Sequence, residues 1–521
     1  MFASRASGLR YLFLAGLLVL PARPQNLKEF EKSVTEFTLP NGLHFIAVER
    51  HEAPVVSFYT YANVGSVDDP RGATGLAHMF EHMAFKGTER IGSKNWPAEK
   101  KALNAVDQAF SDLMAEKNKG RLADRAKVEQ LEKAFQAAVE KAGELAESND
   151  YSRIIEENGG VGMNAATGPD STVYFYSLPS NRAELWFYME SERFLHPVFR
   201  EFYKERDVVR EERRMRTDSN PVGKLVETFL GQAFIAHPYR QPPVGWPSDL
   251  EYLNVSEAKQ FFDTYYVPNN LTIAIVGDID PQQIRRLAVS YFGRLERRPL
   301  PPAIHTVEPP QEGTRRVEVE SPAQPVVILG YKKPSEYDPD RAVFDVISSV
   351  LSGGRTGWLY KELVRDQQIS LDAGGFPHFP GDKYPGLFVF YSFPTSGHTV
   401  EENEKAMYGL IEKIKTERVD TDTLNMVKTK NRAELIRKLE SNADLAGELA
   451  SYYANFGDWR QLFYSLDEIN RVTAEDVQRV AKKYFRPESL TVAYLVAPPQ
   501  NPARHDGEQS GPQHQQGAPQ Q

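Results

Sequence analysis

Cysteine is absent from all 521 residues. Its absence excludes disulfide staples, thiolate metal sites, cysteine nucleophiles and a lipidated N-terminal cysteine, so any metal must be held by His, Asp or Glu. Histidine is scarce, with 11 in the chain, so a close pair of them carries information. Positive charge is not in excess: 62 Lys and Arg against 71 Asp and Glu give a formal net charge of -9. That balance lacks the basic footprint of a nucleic-acid binder. Long hydrophobic runs are missing apart from Tyr11–Leu20, which is too short for a comfortable membrane span.

That run is nevertheless informative. Arg5 and Arg10 precede it and Pro21-Ala22-Arg23-Pro24-Gln25 follow, the pattern of a secretory signal peptide over residues 1–25. The alternative is an uncleaved N-terminal anchor. The signal reading implies an exported protein, periplasmic or secreted, with no stable membrane span once the signal is removed. At 521 residues, 41% of them hydrophobic, the chain can build more than one core.

Phe37 to Val48 reads as strand, Asn41-Gly42 turn, strand, and Val55 to Val64 as a further strand. Gly72 to Lys86 reads as a helix with Leu76, Met79, Phe80 and Met83 on its apolar side. From Pro97 to Ala146 the composition turns to Ala, Glu, Lys and Gln. Leu103, Val106, Phe110 and Leu113, then Val128, Leu131, Phe135 and Val139, recur at helical spacing on either side of Gly120. This predicts a helical hairpin inserted at about 97–156, either an arm for a partner or a gate, or a solvated decoration.

Residues 296–314 hold five prolines and form the natural linker between an N-terminal domain (33–295) and a C-terminal one (315–497). Residues 498–521, rich in Gln, Pro and Gly, read as a disordered tail. An internal repeat supports the division. Tyr265-Tyr266-Val267-Pro268-Asn269-Asn270-Leu271-Thr272-Ile273-Ala274 resembles Tyr484-Phe485-Arg486-Pro487-Glu488-Ser489-Leu490-Thr491-Val492-Ala493. The expected architecture is α+β: two duplicated domains, each a mostly antiparallel sheet covered by helices, with the hairpin in the first.

The chemistry concentrates in His78-Met79-Phe80-Glu81-His82. Four residues apart on a helix, His78 and His82 share a face and can converge on one ion, while Glu81 lies beside it as a general base. This is H-x-x-E-H, the reverse of the H-E-x-x-H order. A catalytic zinc needs a third protein ligand. Glu205 and Glu212, seven apart and so on one helix face, are the candidates; one can bind the ion and the other hydrogen-bond a ligand.

Together with Leu39-Pro40-Asn41-Gly42-Leu43, Asn164-Ala165-Ala166-Thr167, Asp170-Ser171-Thr172-Val173-Tyr174, Glu205 to Glu212 and Tyr266 to Leu271, this motif resembles the pitrilysin/insulinase family of zinc metallopeptidases. More narrowly, it resembles the two-domain branch related to mitochondrial processing peptidase. The resemblance runs from about Val34 to about Val496. It implies one Zn2+ per chain held by His78, His82 and Glu212, Glu81 as the catalytic base and Glu205 as a supporting carboxylate. It also places Asn164 and Ala165 by an edge strand to which a peptide substrate adds. The His82-to-Glu212 interval is longer than the family usually shows, and the helical insertion accounts for the excess.

The family also completes its site with an arginine and a tyrosine from the C-terminal domain or a partner subunit. Arg365 fits the arginine, but Asp372 stands where the tyrosine is expected, and a carboxylate cannot supply a phenolic hydroxyl. Tyr384 or Tyr391 is an alternative source. The substitution points to a related partner subunit, as a heterodimer, or to a homodimer. The leading expectation is therefore a zinc endopeptidase acting on peptides or unfolded segments. Its rivals are a catalytically silent assembly subunit of the same family and a peptide-binding module with structural metal.

Overall fold

A computed structural model describes residues 27–498. The expected signal peptide and the tail beyond residue 498 lie outside the described residues. Among the described residues, no helix is long and apolar enough to cross a membrane.

Two sheets organise the chain. The first contains β1 (Val34–Thr38), β2 (His44–Glu49), β3 (Val55–Ala62), β4 (Val161–Thr167), β5 (Thr172–Pro179) and β6 (Leu271–Gly277), in the order β1-β2-β6-β3-β5-β4. The second contains β7 (Arg315–Glu320), β8 (Val326–Lys332), β9 (Ser370–Phe379), β10 (Leu387–Pro394) and β11 (Leu490–Val496), in the order β7-β11-β8-β10-β9. In each sheet one pair is parallel, β2 with β6 and β7 with β11, and the other ladders are antiparallel. The two orders superimpose strand for strand once β1 is set aside, so the fold is the expected duplicated α+β arrangement. The repeated segments occupy matching places: helix Val255–Tyr265, a short turn and β6 in one half, helix Ala474–Tyr484, a short turn and β11 in the other.

Why β6 shows no apolar–polar alternation is clear from its surroundings. It is buried along its whole length. Ile273 and Ile275 face the main core of the first half, with Phe58, Trp186 and Phe292. Ala274 and Val276 face the other way, against Leu445, Ala446, Leu449 and Ala450 of the helix Asn442–Phe456 from the second half. The cover is reciprocal. Helix Pro221–Ala233 of the first half lays Leu225, Phe229 and Leu230 on Val326, Ile328 and Val389 of the second sheet. Gly330 of β8 makes room for it, since a Cβ there would lie 2.4 Å from the ring tip of Phe229.

The inserted hairpin consists of helices Trp96–Lys117 and Arg125–Gly143, followed by a third short helix, Asp150–Glu157, that periodicity had not resolved. The hairpin is not a free arm. Phe110 and Phe135 pack on Tyr203, with ring centroids 4.6 and 5.2 Å away, at the start of the helix Phe202–Arg213. At its base the buried Arg200 guanidinium donates to the Glu99 carboxylate at 3.0 Å.

Residues 296–314 contain neither helix nor strand, yet they are held. The Glu308 carboxylate accepts from the backbone N–H groups of Ile235 (2.9 Å), Ala236 (2.9 Å) and His237 (3.0 Å). Burial alone would raise this carboxyl, but the three N–H groups hold it below the usual glutamate range. A depressed acid stabilises above its unfolded value, and the contribution is lost as pH falls through the folded one. Glu308→Ala should therefore lower stability by about 2 kcal/mol at pH 7, and the deficit should shrink toward pH 3. Urea unfolding of both proteins at the two pH values measures it; a pH-independent deficit would refute the assignment.

Candidate metal site

The motif helix spans Leu76–Met83, shorter than the Gly72–Lys86 expected from sequence. Its start is fixed by Asp69, whose carboxylate accepts from the N–H of Gly75 (2.7 Å) and of Ala77 (2.9 Å), with Gly75 at φ +91°. A cap six residues upstream leaves residues 72–74 outside the helix. Leu76, Met79, Phe80 and Met83 are buried in the core, which locks the helix about its axis.

His78 and His82 project from one side of this helix, ring centroids 4.9 Å apart. Across from them, the helix Phe202–Arg213 presents Glu205 and Glu212. His78 Nε2 lies 3.6 Å from Glu212 Oε1, and His82 Nε2 lies 3.3 Å from Glu212 Oε2. One ligand atom from each of His78, His82 and Glu212 lies within 4.8 Å of the others, and no other trio of His, Asp or Glu among the described residues comes so close. Ligands about 2.0–2.1 Å from a tetrahedral ion stand roughly 3.3 Å from one another, so these spacings suit a zinc-sized cation. Two neutral-capable imidazoles and one carboxylate leave a fourth position open, the donor set of a catalytic rather than a closed structural site.

Outside these three, Glu205 Oε2 stands 3.4 Å from His82 Nδ1, the nitrogen left over for an orienting hydrogen bond. The corresponding Nδ1 of His78 is buried without a hydrogen-bond partner. Burial pushes the His78 imidazole down to about 4, so it stays neutral and ready to bind a cation. Burial also acts on His82, but the carboxylates of Glu205 and Glu212 outweigh it and raise His82 to about 9. Glu212 is held below the usual carboxylate range, first by its hydrogen bond with His82. Glu81 is raised by burial, an effect opposed by Thr167 on β4 and by His82. The motif helix packs against β4, which brings Glu81 to the edge of the sheet.

The other expected residues fall in different places. Asn164 and Ala165 lie on β4, which among the described residues pairs only with β5 and is thus an edge strand, with Asn164 exposed and Ala165 buried. Arg365 is exposed near the end of the π-helix Tyr360–Asp366, its guanidinium paired with Asp366 at 2.6 and 2.8 Å, and among the described residues no hydrogen bond or ion pair joins it to the metal site. Asp372 is on β9 beside Tyr391, whose hydroxyl donates to it at 3.4 Å. Tyr384 packs with His237 and Tyr239 between the halves.

Two functional neighbours were missed from sequence. Lys86 Nζ lies 2.5 Å from Glu205 Oε1 and 3.2 Å from Glu201 Oε2, and Arg216 Nη1 lies 2.7 Å from Glu212 Oε1. Arg216 follows its partner Glu212 by four positions, whereas Lys86 reaches across to another helix, which spacing cannot show. For Arg216 the i,i+4 spacing was the available signal.

A proton on His82 competes with any cation at Nε2. Zinc affinity should therefore rise with pH by roughly tenfold per unit through the neutral range, levelling off near the His82 value of about 9. Competition with a chromogenic chelator at pH 6.5, 7.5 and 8.5 measures this, and a flat profile would contradict the charge state deduced for His82.

Comparison with known proteins agrees with this geometry. The family model described as insulinase (peptidase family M16) matches residues 45–115, and that described as peptidase M16 inactive domain matches residues 252–431. The zinc protease PqqE of Helicobacter pylori is 28% identical over 491 residues, covering 92% of this chain and 96% of the relative. The uncharacterized zinc protease YmxG of Bacillus subtilis is 22% identical, covering 90% and 99%. A crystal structure of a protease from Helicobacter pylori aligns over 89% of this chain and 99% of its own, with TM-score 0.75 and 26% identity. A peptidase M16 inactive domain from Pseudomonas fluorescens shares the fold at TM-score 0.68 and 17% identity. Motif, sheet topology, donor set and relatives converge, and the chain belongs to the pitrilysin/insulinase family, peptidase family M16.

Proposed function

We propose that the protein is a zinc-dependent endopeptidase acting on peptides or unfolded protein segments. The observation that carries this is the meeting of His78, His82 and Glu212 ligand atoms beside a partly buried Glu81 and an unpaired strand edge. When bound by these three side chains, zinc supplies Lewis acidity that polarises a scissile carbonyl and acidifies a water molecule.

The chain's own groups do the rest. An extended peptide adds to the open side of β4, main chain to main chain, with Asn164 and Ala165 on the strand it joins. Glu81, raised by burial and so a better base than a solvated glutamate, takes a proton from the attacking water and returns it to the leaving amine nitrogen. Glu205 orients His82 and is itself anchored by Lys86.

The competing reading is a silent subunit. The description "inactive domain" falls on residues 252–431, which contain none of His78, Glu81, His82 and Glu212. The insulinase match, by contrast, spans His78, Glu81 and His82. Activity is therefore the reading the first half supports.

Completion of the site by another subunit is part of the proposal. Arg365 is engaged with Asp366, and Asp372 occupies the position expected for tyrosine, so a related chain or a second copy supplies the Arg/Tyr pair. Export through the 1–25 signal is proposed on the sequence pattern.

Glu81→Gln should lower kcat on an unfolded peptide by roughly 10²–10⁴-fold with zinc content unchanged, whereas Glu212→Gln should lose zinc. Chelation should abolish hydrolysis and added zinc restore it. Turnover by Glu81→Gln equal to wild type would end the catalytic assignment. Full turnover by the isolated monomer would end the partner assignment.

A further inference from the structure

The inserted hairpin and the N-terminal turn of the 202–213 helix enclose a cavity of about 650 Å³. None of His78, Glu81, His82, Glu205 and Glu212 lines it. Its volume falls within the range of about 300–1,000 Å³ typical of small-molecule sites. The wall is largely apolar: Trp96, Leu103, Val106 and Val139 from the insertion, facing Phe199 and Phe202.

Four carboxylates line the cavity, Glu89, Asp107, Glu140 and Glu201, and Asp107 is the one hydrogen-bonded to a tyrosine of its wall. Asp107 accepts from the Tyr203 hydroxyl at 3.2 Å and has no cation paired with it among the described residues. None of the cations that line the cavity is paired with Asp107. Arg200 pairs with Glu99, Lys204 with Glu201 and Lys259 with Asp263, while Lys100 lies over the Trp96 ring. Burial pushes the Asp107 carboxyl up to about 6, with the Tyr203 hydroxyl pulling the other way. A partly desolvated carboxylate with a single neutral partner is poorly compensated, and an entering cation would correct that.

We propose that this cavity binds an apolar organic cation, its ammonium on the Asp107 carboxylate and its hydrocarbon body against Trp96, Leu103 and Phe202. Both halves of such a ligand are recognised by what the cavity lacks: a positive charge for Asp107 and apolar atoms to fill the space. A carboxylate-bearing amphiphile of the same length would meet Asp107 with like charge. The inference stands apart from the peptidase reading, because it uses no metal-site residue.

The test is isothermal titration of the full chain at pH 8 with n-octylamine, n-octanol and octanoate, each below its micellar concentration. Octylamine should bind saturably, one per chain, at least about tenfold more tightly than octanol, with octanoate weakest. Asp107→Asn, which keeps a hydrogen bond to Tyr203 possible, should erase the amine's advantage and leave octanol binding unchanged. Leu103→Trp should fill the cavity and abolish both. Equal binding of amine and alcohol, no saturable amine binding, or an undiminished advantage in a folded Asp107→Asn protein would overturn the proposal.

Discussion

Everything at the site depends on holding two helices face to face in an apolar setting while their facing edges are charged. The Leu76–Met83 helix buries its apolar residues in the core, and the Phe202–Arg213 helix is seated by Phe202, Tyr203 and Val209. Polar groups in such a setting must be partnered or they destabilise the fold. Here the partners are shared, although the buried His78 Nδ1 has none. Glu205 lies between His82 and Lys86, Glu212 lies between the two imidazoles and Arg216, and Asp69 caps the motif helix. A divalent cation entering between His78, His82 and Glu212 would displace the His82 proton and so add one positive charge rather than two.

How much of this could be read beforehand varied with the range of the interactions. The strand–turn–strand at the start, the motif, the duplicated helix–turn–strand segments and the hairpin are written in short-range periodicity, and each appears in the structure. The onset of the motif helix was misplaced because it is set by Asp69, outside the window in which helical spacing is visible. The Asp150–Glu157 helix escaped because eight residues are too few for a periodic signal. Glu308 looked like part of a featureless proline-rich segment, yet its contacts are with residues about seventy positions earlier. That Arg365 and Asp372 lie apart from the metal ligands is a matter of tertiary placement, which motif spacing cannot express.

The insertion shows how an added segment can leave chemistry intact. It enters between the motif helix and β4, and it docks through Phe110, Phe135 and the Arg200–Glu99 pair on the structure that precedes Glu205. The extra length thus braces the carboxylate helix from behind instead of separating it from the histidines. From there, Glu201, Lys86 and Glu205 form an unbroken ionic sequence that ends at His82.

The reciprocal cover of the two sheets has a consequence for how the polypeptide can be divided. Each sheet finishes its hydrophobic back with a helix encoded in the opposite half, and Gly330 is shaped to receive Phe229 from across the boundary. A scissor cut anywhere near residue 300 would yield two fragments, each with a bare apolar surface meant for the other. The two look-alike halves are thus fastened by exchange, each supplying the helix that covers the other's apolar face.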